Sequence, residues 1–187
     1  MHPNGSDEEN CSDWEPATSA LNKEELLLQR YAAGKREFYE ADLTGIVLPG
    51  AHLKWICLTQ ANLNGADLSE ANLSHADLRK ANLNGANLIK AKLDGAFLIG
   101  ADLTRINLAG ANLCDSFLWK AKLIRANLSG ANLTRANLRE ADLYKADLRG
   151  ADLRNTTLPV ANMTEANLAD ADLRGANPDC LTYLCES

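Results

Sequence analysis

A leucine recurs at every fifth residue through most of this 187-residue chain. The stretch 61–80, ANLNGADLSEANLSHADLRK, places Leu63, Leu68, Leu73 and Leu78 five apart, each two residues after an alanine. From Ala41 to Gly175 the pattern A-[DN]-L-x-x runs in 27 copies, with leucine central in 26 and Met163 as the exception. The alanine gives way only at Ile46, Ile56, Ile106, Ser116 and Thr156. A looser copy, REFYE, precedes the array, and another, ANPDC, follows it. Repetition this regular constrains the architecture before any other feature does.

A period of five excludes both regular elements. On an α-helix five residues turn through about 500°, so successive leucines would lie about 140° apart and form no apolar stripe. Asn, Asp and Gly also recur too often for long helices. A straight strand alternates its side chains with period two, so an odd period would send successive leucines to opposite faces. The pattern therefore demands a bend in every repeat. Ala and Leu point inward, the residue between them points outward, and the last two turn a corner that Gly, Asn, Ser and Asp suit. A chain that bends the same way every five residues coils, and neighbouring coils pair like strands about 4.8 Å apart.

On these residues the chain resembles the pentapeptide repeat proteins, whose signature is A-[DN]-L-x-x, over about three quarters of its length. The resemblance implies an all-β solenoid, a right-handed quadrilateral β-helix with four repeats per coil. Twenty-eight repeats then make about seven coils, roughly 34 Å of stack. Residues twenty apart become neighbours, which turns the sequence into a surface map. Asn columns such as Asn87, Asn107 and Asn127 follow, and outward aspartates almost never stack, Asp152 with Asp172 being the adjacent pair. Like charges directly opposite destabilise a sheet, so this spacing agrees with four sides.

Outside the repeats, Asn22 with Glu25 three later reads as a capping box. Leu26, Leu27, Leu28, Tyr31 and Ala32 give an apolar face, and Gly34 suits a helix C′ position. These signals predict a short capping α-helix near 23–33, within an N-terminal unit of residues 21–35, that covers the open edge of the first coil. The alternative is a helix that binds a partner. The stretch YAAGKREFYEADL is similar to the opening of cyanobacterial members of the family. Residues 1–20 are acidic and read as a disordered segment. The β-helix is assigned to 36–180 and a C-terminal cap or tail to 181–187, with Leu181, Tyr183 and Leu184 folding over the last coil.

Net charge is −6, but residues 41–175 hold fourteen acids and fifteen bases, so the acidity sits in the ends. No stretch approaches the roughly 18 apolar residues of a membrane span. No secretory signal opens the chain, so the expected location is cytoplasmic with no membrane partner. Five cysteines form no CxxC pair; Cys180 and Cys185 as a disulfide is the alternative to free thiols. His2, His52 and His75 do not converge on a metal cluster or a Ser/His/Asp set. The glycines sit at corners, not in a phosphate loop. The expectation is no enzyme, with no catalytic, cofactor or metal site.

Two surface features stand out. Phe97 and Phe117 are outward and twenty apart, as are Ile99 and Trp119 on the same side, with Ile124 round the corner from Trp119. Arg79, Lys80, Lys120 and Arg139 flank them. An exposed apolar patch with a polar rim marks a protein partner site; an outward Phe ladder with no partner is the plainer reading. Arg105, Arg125 and Lys145 share one column that ends at Glu165, a candidate anion site or simply long side chains splayed into water. The resemblance also implies that some relatives mimic duplex DNA to protect DNA gyrase, but a near-neutral coil is a poor phosphate mimic. Nucleic acid is disfavoured as a partner. The outward threonines do not align into an ice-binding array. The function expected is a scaffold or adaptor for a protein partner, with a purely structural role as the alternative. A monomer or weak end-to-end dimer is expected.

Overall fold

A computed structural model of the chain describes residues 21–177. The repeats coil with a spacing of twenty. Each outward middle residue makes a parallel bridge to the residue twenty further on, from Glu37 with Cys57 to Thr157 with Asn177. Four repeats thus complete one turn. Side I carries Phe97 and Phe117, side II Asp102 and Lys122, side III Asn107 and Asn127, and side IV Asn112 and Asn132.

Why A-[DN]-L-x-x makes this shape is answered by following backbone N–H groups, since each needs a partner. In the repeat Ala61–Gly65, Leu63 and Gly65 donate to the carbonyls of Asn82 and Asn84 in the next coil, at 2.7 and 3.0 Å. Asn62 donates back to Ala41 at 2.9 Å. Ala66 donates to the Leu63 carbonyl at 3.0 Å, closing a turn whose third residue, Gly65, has φ +65°. A positive φ there is type II geometry. The Asn64 N–H has no carbonyl; it donates to the Oδ1 of Asn62 at 3.3 Å. The outward Asn or Asp therefore closes the corner. All nineteen described repeats with Asn or Asp outward make this bond. The same residues tie coils together: the amides of Asn82, Asn127 and Asn132 donate to Asn62, Asn107 and Asn112 at 3.1–3.2 Å.

The inward Ala and Leu form one continuous spine from Leu27 to Met163, nearly all of it inaccessible to solvent. Two polar exceptions at the alanine position are satisfied internally. Ser116 Oγ donates to the Leu113 carbonyl at 2.6 Å, and Thr156 Oγ1 to the Leu133 carbonyl at 3.0 Å. Among the described residues no buried side-chain polar atom lacks a partner.

Corners carry a conformational cost. The last residue of each repeat holds φ near +60°, yet many are not glycine. Val160, at φ +60° and exposed, is the poorest fit, because a β-branched side chain crowds the left-handed region. Val160→Gly should stabilise the protein by about 1 kcal/mol, once the extra backbone entropy of glycine is set against the relieved strain. Chemical denaturation reads this directly, and a lowered midpoint would contradict it.

The helix α1 spans Lys23–Ala32, one residue shorter than the sequence signals suggest. Its capping box is formed: Glu25 N–H donates to Asn22 Oδ1 at 2.8 Å, and Asn22 N–H to Glu25 Oε2 at 3.3 Å. Gly34, at φ +96°, leads the chain out. Leu26 and Leu27 are buried, and Leu27 joins the spine. Side chains of α1 also meet edge groups of the first coil that no preceding coil could reach. Glu24 Oε1 accepts the Val47 N–H at 3.1 Å, and Tyr31 OH donates to the Lys54 carbonyl at 2.9 Å. No helix among the described residues is long and apolar enough to cross a membrane. The expectations for residues 1–20, for Leu181, Tyr183 and Leu184, and for the pairing of Cys180 with Cys185 lie outside the described residues.

Candidate interaction surface

Eight of the 27 regular repeats lack an outward Asn or Asp: those of Val47, His52, Cys57, Lys92, Phe97, Phe117, Lys122 and Thr157. After Val47 and Thr157 the corner residue is Pro49 or Pro159, which has no N–H to satisfy. The other six leave a corner N–H that donates to no group among the described residues: those of Lys54, Thr59, Asp94, Ile99, Trp119 and Ile124. Four of the six fall on two stacked coils, at the repeats of Lys92, Phe97, Phe117 and Lys122. The scaffold's own closing device is given up there.

Side I holds the aromatic pair at this place. The rings of Phe97 and Phe117 stack with centroids 5.0 Å apart and 5° between planes. They are 37% and 40% exposed, although both belong to a structural repeat. Trp119, at the corner between sides I and II, is 39% exposed. Lys120 Nζ lies 4.7 Å from its ring centre and 3.5 Å from Glu140, which Arg139 also reaches at 3.2 Å. Hydrogen bonding from the Trp119 side chain, then from Arg139, with Lys120 adding its charge, holds the Glu140 carboxyl below its ordinary range. Lys120 thus lies over the Trp119 ring while paired with Glu140. Ile99, twenty residues before it, is half-buried in the same column. Ile124 is also half-buried but stands at the following corner, between sides II and III, one side of the square away from Trp119.

The column of Arg105, Arg125 and Lys145 divides. Lys145 Nζ pairs with Glu165 at 3.2 Å, and Tyr144 OH donates to the same carboxylate at 2.9 Å. Arg105 and Arg125 make no ion pair among the described residues. Farther along, Arg149, Arg154 and Arg174 each clasp the outward aspartate two residues earlier, at 2.6–2.7 Å. The stacked pair Asp152 and Asp172 is tolerated because arginines interleave with it. Hydrogen bonds from Arg174 pull the Asp172 carboxyl down to about 2.

One aromatic feature escapes a reading that concentrates on sides with phenylalanine. Trp55, 62% exposed, stacks on His75 with centroids 4.2 Å apart. Their spacing of twenty was the available signal. Gly95 continues the column, where a Cβ would collide with His75 Nδ1. His52 is exposed on side IV, and no group of three His, Cys, Asp or Glu among the described residues could hold a metal ion.

The pentapeptide repeat pattern matches in 8 copies, over residues 37–65, 66–105, 101–140, 121–158 and 141–177. No curated protein matches the chain. Among solved structures, it is similar to HetL, a pentapeptide repeat protein involved in heterocyst differentiation regulation in the cyanobacterium Nostoc sp. strain PCC 7120. That similarity is 29% identity over 80% of this chain and 92% of HetL, with a TM-score of 0.34. Alr5209, also from Nostoc PCC 7120, is 28% identical over 82% of this chain and 93% of its own, with a TM-score of 0.39. Rfr23 from Cyanothece 51142 is 26% identical over 83% and 95%, with a TM-score of 0.29. With its repeats matched from residue 37 to 177 and its bridges spaced by twenty, the chain belongs to the pentapeptide repeat family, whose members fold as right-handed quadrilateral β-helices.

Proposed function

We propose that this protein is a non-enzymatic cytoplasmic adaptor that binds a protein partner through side I, around Phe97, Phe117 and Trp119. One observation carries the reading. On two successive coils the residue that closes the corner is replaced by phenylalanine, which leaves two backbone N–H groups unserved and two rings open to solvent. Natural sequences break their own local rules mainly where function requires it. Exposed aromatic clusters are typical of partner sites. Family members are in general structural or interaction proteins. Cys57 and Cys114 are free thiols, which suits a reducing compartment.

The test uses asparagine, the residue the scaffold itself prefers. In the double variant Phe97→Asn/Phe117→Asn, two corner bonds worth about 0.5–1.5 kcal/mol each are regained. One aromatic pair of about 0.5–1.5 kcal/mol is lost. Stability should therefore stay level or rise, while partner affinity falls by at least about thirtyfold, as for a hot spot. Pull-down from the source cell with wild type and variant, alongside thermal unfolding, reads both. A variant that keeps every wild-type partner would sink the proposal.

A further inference from the structure

The arginines of the regular repeats and the cations of residues 80–125 are paired differently. Outside residues 80–125, the arginines of the repeats are occupied: Arg79 with Asp77, Arg135 with Asp115, Arg139 with Glu140, and Arg149, Arg154 and Arg174 with their neighbouring aspartates. Lys145 is held by Glu165. Within 80–125 the opposite holds. Among the described residues Lys80, Lys90, Lys92, Arg105, Lys122 and Arg125 make no ion pair, whereas Lys120 does. That segment carries seven bases and three acids, net +4, while 41–79 is −2 and 126–175 is −1. The array is neutral as a whole because a basic waist sits between two acidic ends.

Four of the unpaired cations line one side. Lys80 lies at the corner before side II, Lys122 in its middle, and Arg105 and Arg125 at the corner after it. Arg105 and Arg125 occupy adjacent coils about 4.8 Å apart, where like charges repel. Within 80–125, side II has a single carboxylate, Asp102, whose Oδ1 accepts the Thr104 N–H at 3.0 Å; Lys122 stacks between it and Asp142 of the next coil and forms an ion pair with neither. Side II shares with side I the corner bearing Ile99, Trp119 and Lys120. The unneutralised charge and the open phenylalanines therefore form one continuous surface.

Resting on the adaptor reading above, we infer that the partner of this surface is an acidic polypeptide segment with an aromatic or aliphatic anchor. The anchor meets Phe97 and Phe117, and its carboxylates meet Lys80, Lys122, Arg105 and Arg125. A single-stranded nucleic acid fits less well. Phe97 and Phe117 stack on each other and the column continues as Asp77 on one side and Asn137 on the other, so it offers no run of ring faces for successive bases. Charge complementarity of this kind steers the encounter and selects the partner.

The random copolymer poly(Glu,Tyr) supplies both chemistries and serves as the probe, with poly-Glu and a single-stranded DNA oligomer beside it. Fluorescence anisotropy with the full-length protein should show poly(Glu,Tyr) binding more tightly than either, with affinity falling as salt rises. Arg105→Glu/Lys122→Glu/Arg125→Glu should weaken it by at least about tenfold. The milder Arg105→Gln/Lys122→Gln/Arg125→Gln should weaken it in the same direction and guards against misfolding by repulsion with Asp102. Lys54→Glu, an unpaired cation off the waist, should change it by less than about twofold. Absence of copolymer binding, equal binding by the glutamine variant, or tighter binding of the single-stranded DNA would each overturn the inference. The two readings separate cleanly. If Phe97→Asn/Phe117→Asn loses a cellular partner that the glutamine variant keeps, the adaptor stands and the acidic partner falls. If the copolymer binds through the cations but wild type captures no cellular protein, the adaptor falls and the acidic surface stands.

Discussion

Replacing Leu83 with alanine should lower the free energy of unfolding by about 2–5 kcal/mol, toward the upper part of that range. Leu83 is fully buried, with Leu63 and Leu103 at the equivalent positions of the adjoining coils. The cost of such a change depends on how far the surroundings can collapse into the cavity. Here they can collapse little. Leu83 N–H is bonded to the Asp102 carbonyl at 2.8 Å and its carbonyl accepts the Ala86 N–H at 3.0 Å, and each neighbouring coil is pinned in the same way. The alanines that keep the spine narrow offer no spare side chain to fill the void. A stacked array also depends on nearest-neighbour interfaces, so damage in mid-stack should broaden the transition as the two halves uncouple. Denaturant unfolding followed by circular dichroism measures both. A loss below about 1 kcal/mol would mean that the coil relaxes far more freely than its ladder implies.

The second large effect is expected at the N-terminal end of the stack, from a charge placed under the helix. Leu27 is 1% exposed and is the point where α1 enters the spine. Leu27→Asp would bury a carboxylate with no partner, and a group in that position is expelled rather than accommodated. Detachment of α1 would also remove Glu24 from the Val47 N–H and Tyr31 from the Lys54 carbonyl. Those groups would then form a bare strand edge, which is a template for pairing with another chain. The expected result is a variant that keeps its β signal but associates with rising concentration, seen as a growing mass by light scattering after size exclusion. Leu28→Asp, at a position already 41% exposed, is the control and should leave the protein as it was. A Leu27→Asp protein that keeps the wild-type mass at every concentration would show that the first coil protects its own edge.

Some of this was open to view in the chain itself. The period of five could not be housed in a helix or a straight strand, so the bend per repeat and the inward Ala and Leu followed at once. The capping box of Asn22 and Glu25 was equally local, and α1 begins where those residues place it. The stacking of Phe97 on Phe117 followed once twenty residues made a coil. The same arithmetic applies to Trp55 and His75, whose spacing of twenty places one ring on the other.

Other features were not open to view. Arg105, Arg125 and Lys145 look equivalent as a column, but only Lys145 finds a carboxylate within reach, at Glu165. Summing charge along whole sides hides the basic waist, since the acids that balance it lie in other coils or are already taken by arginines such as Arg149 and Arg154.

By itself, then, the order of residues decided which side chains face in, which face out and which turn the corner. In a chain that bends identically every five residues, direction depends only on place within the repeat. Only the folded stack decided which outward groups remain unsatisfied. A carboxylate neutralises a cation, and an Asn or Asp closes a corner, only when the coil geometry brings them within about 3 Å. What is left over is the aromatic pair and the bare cations beside it.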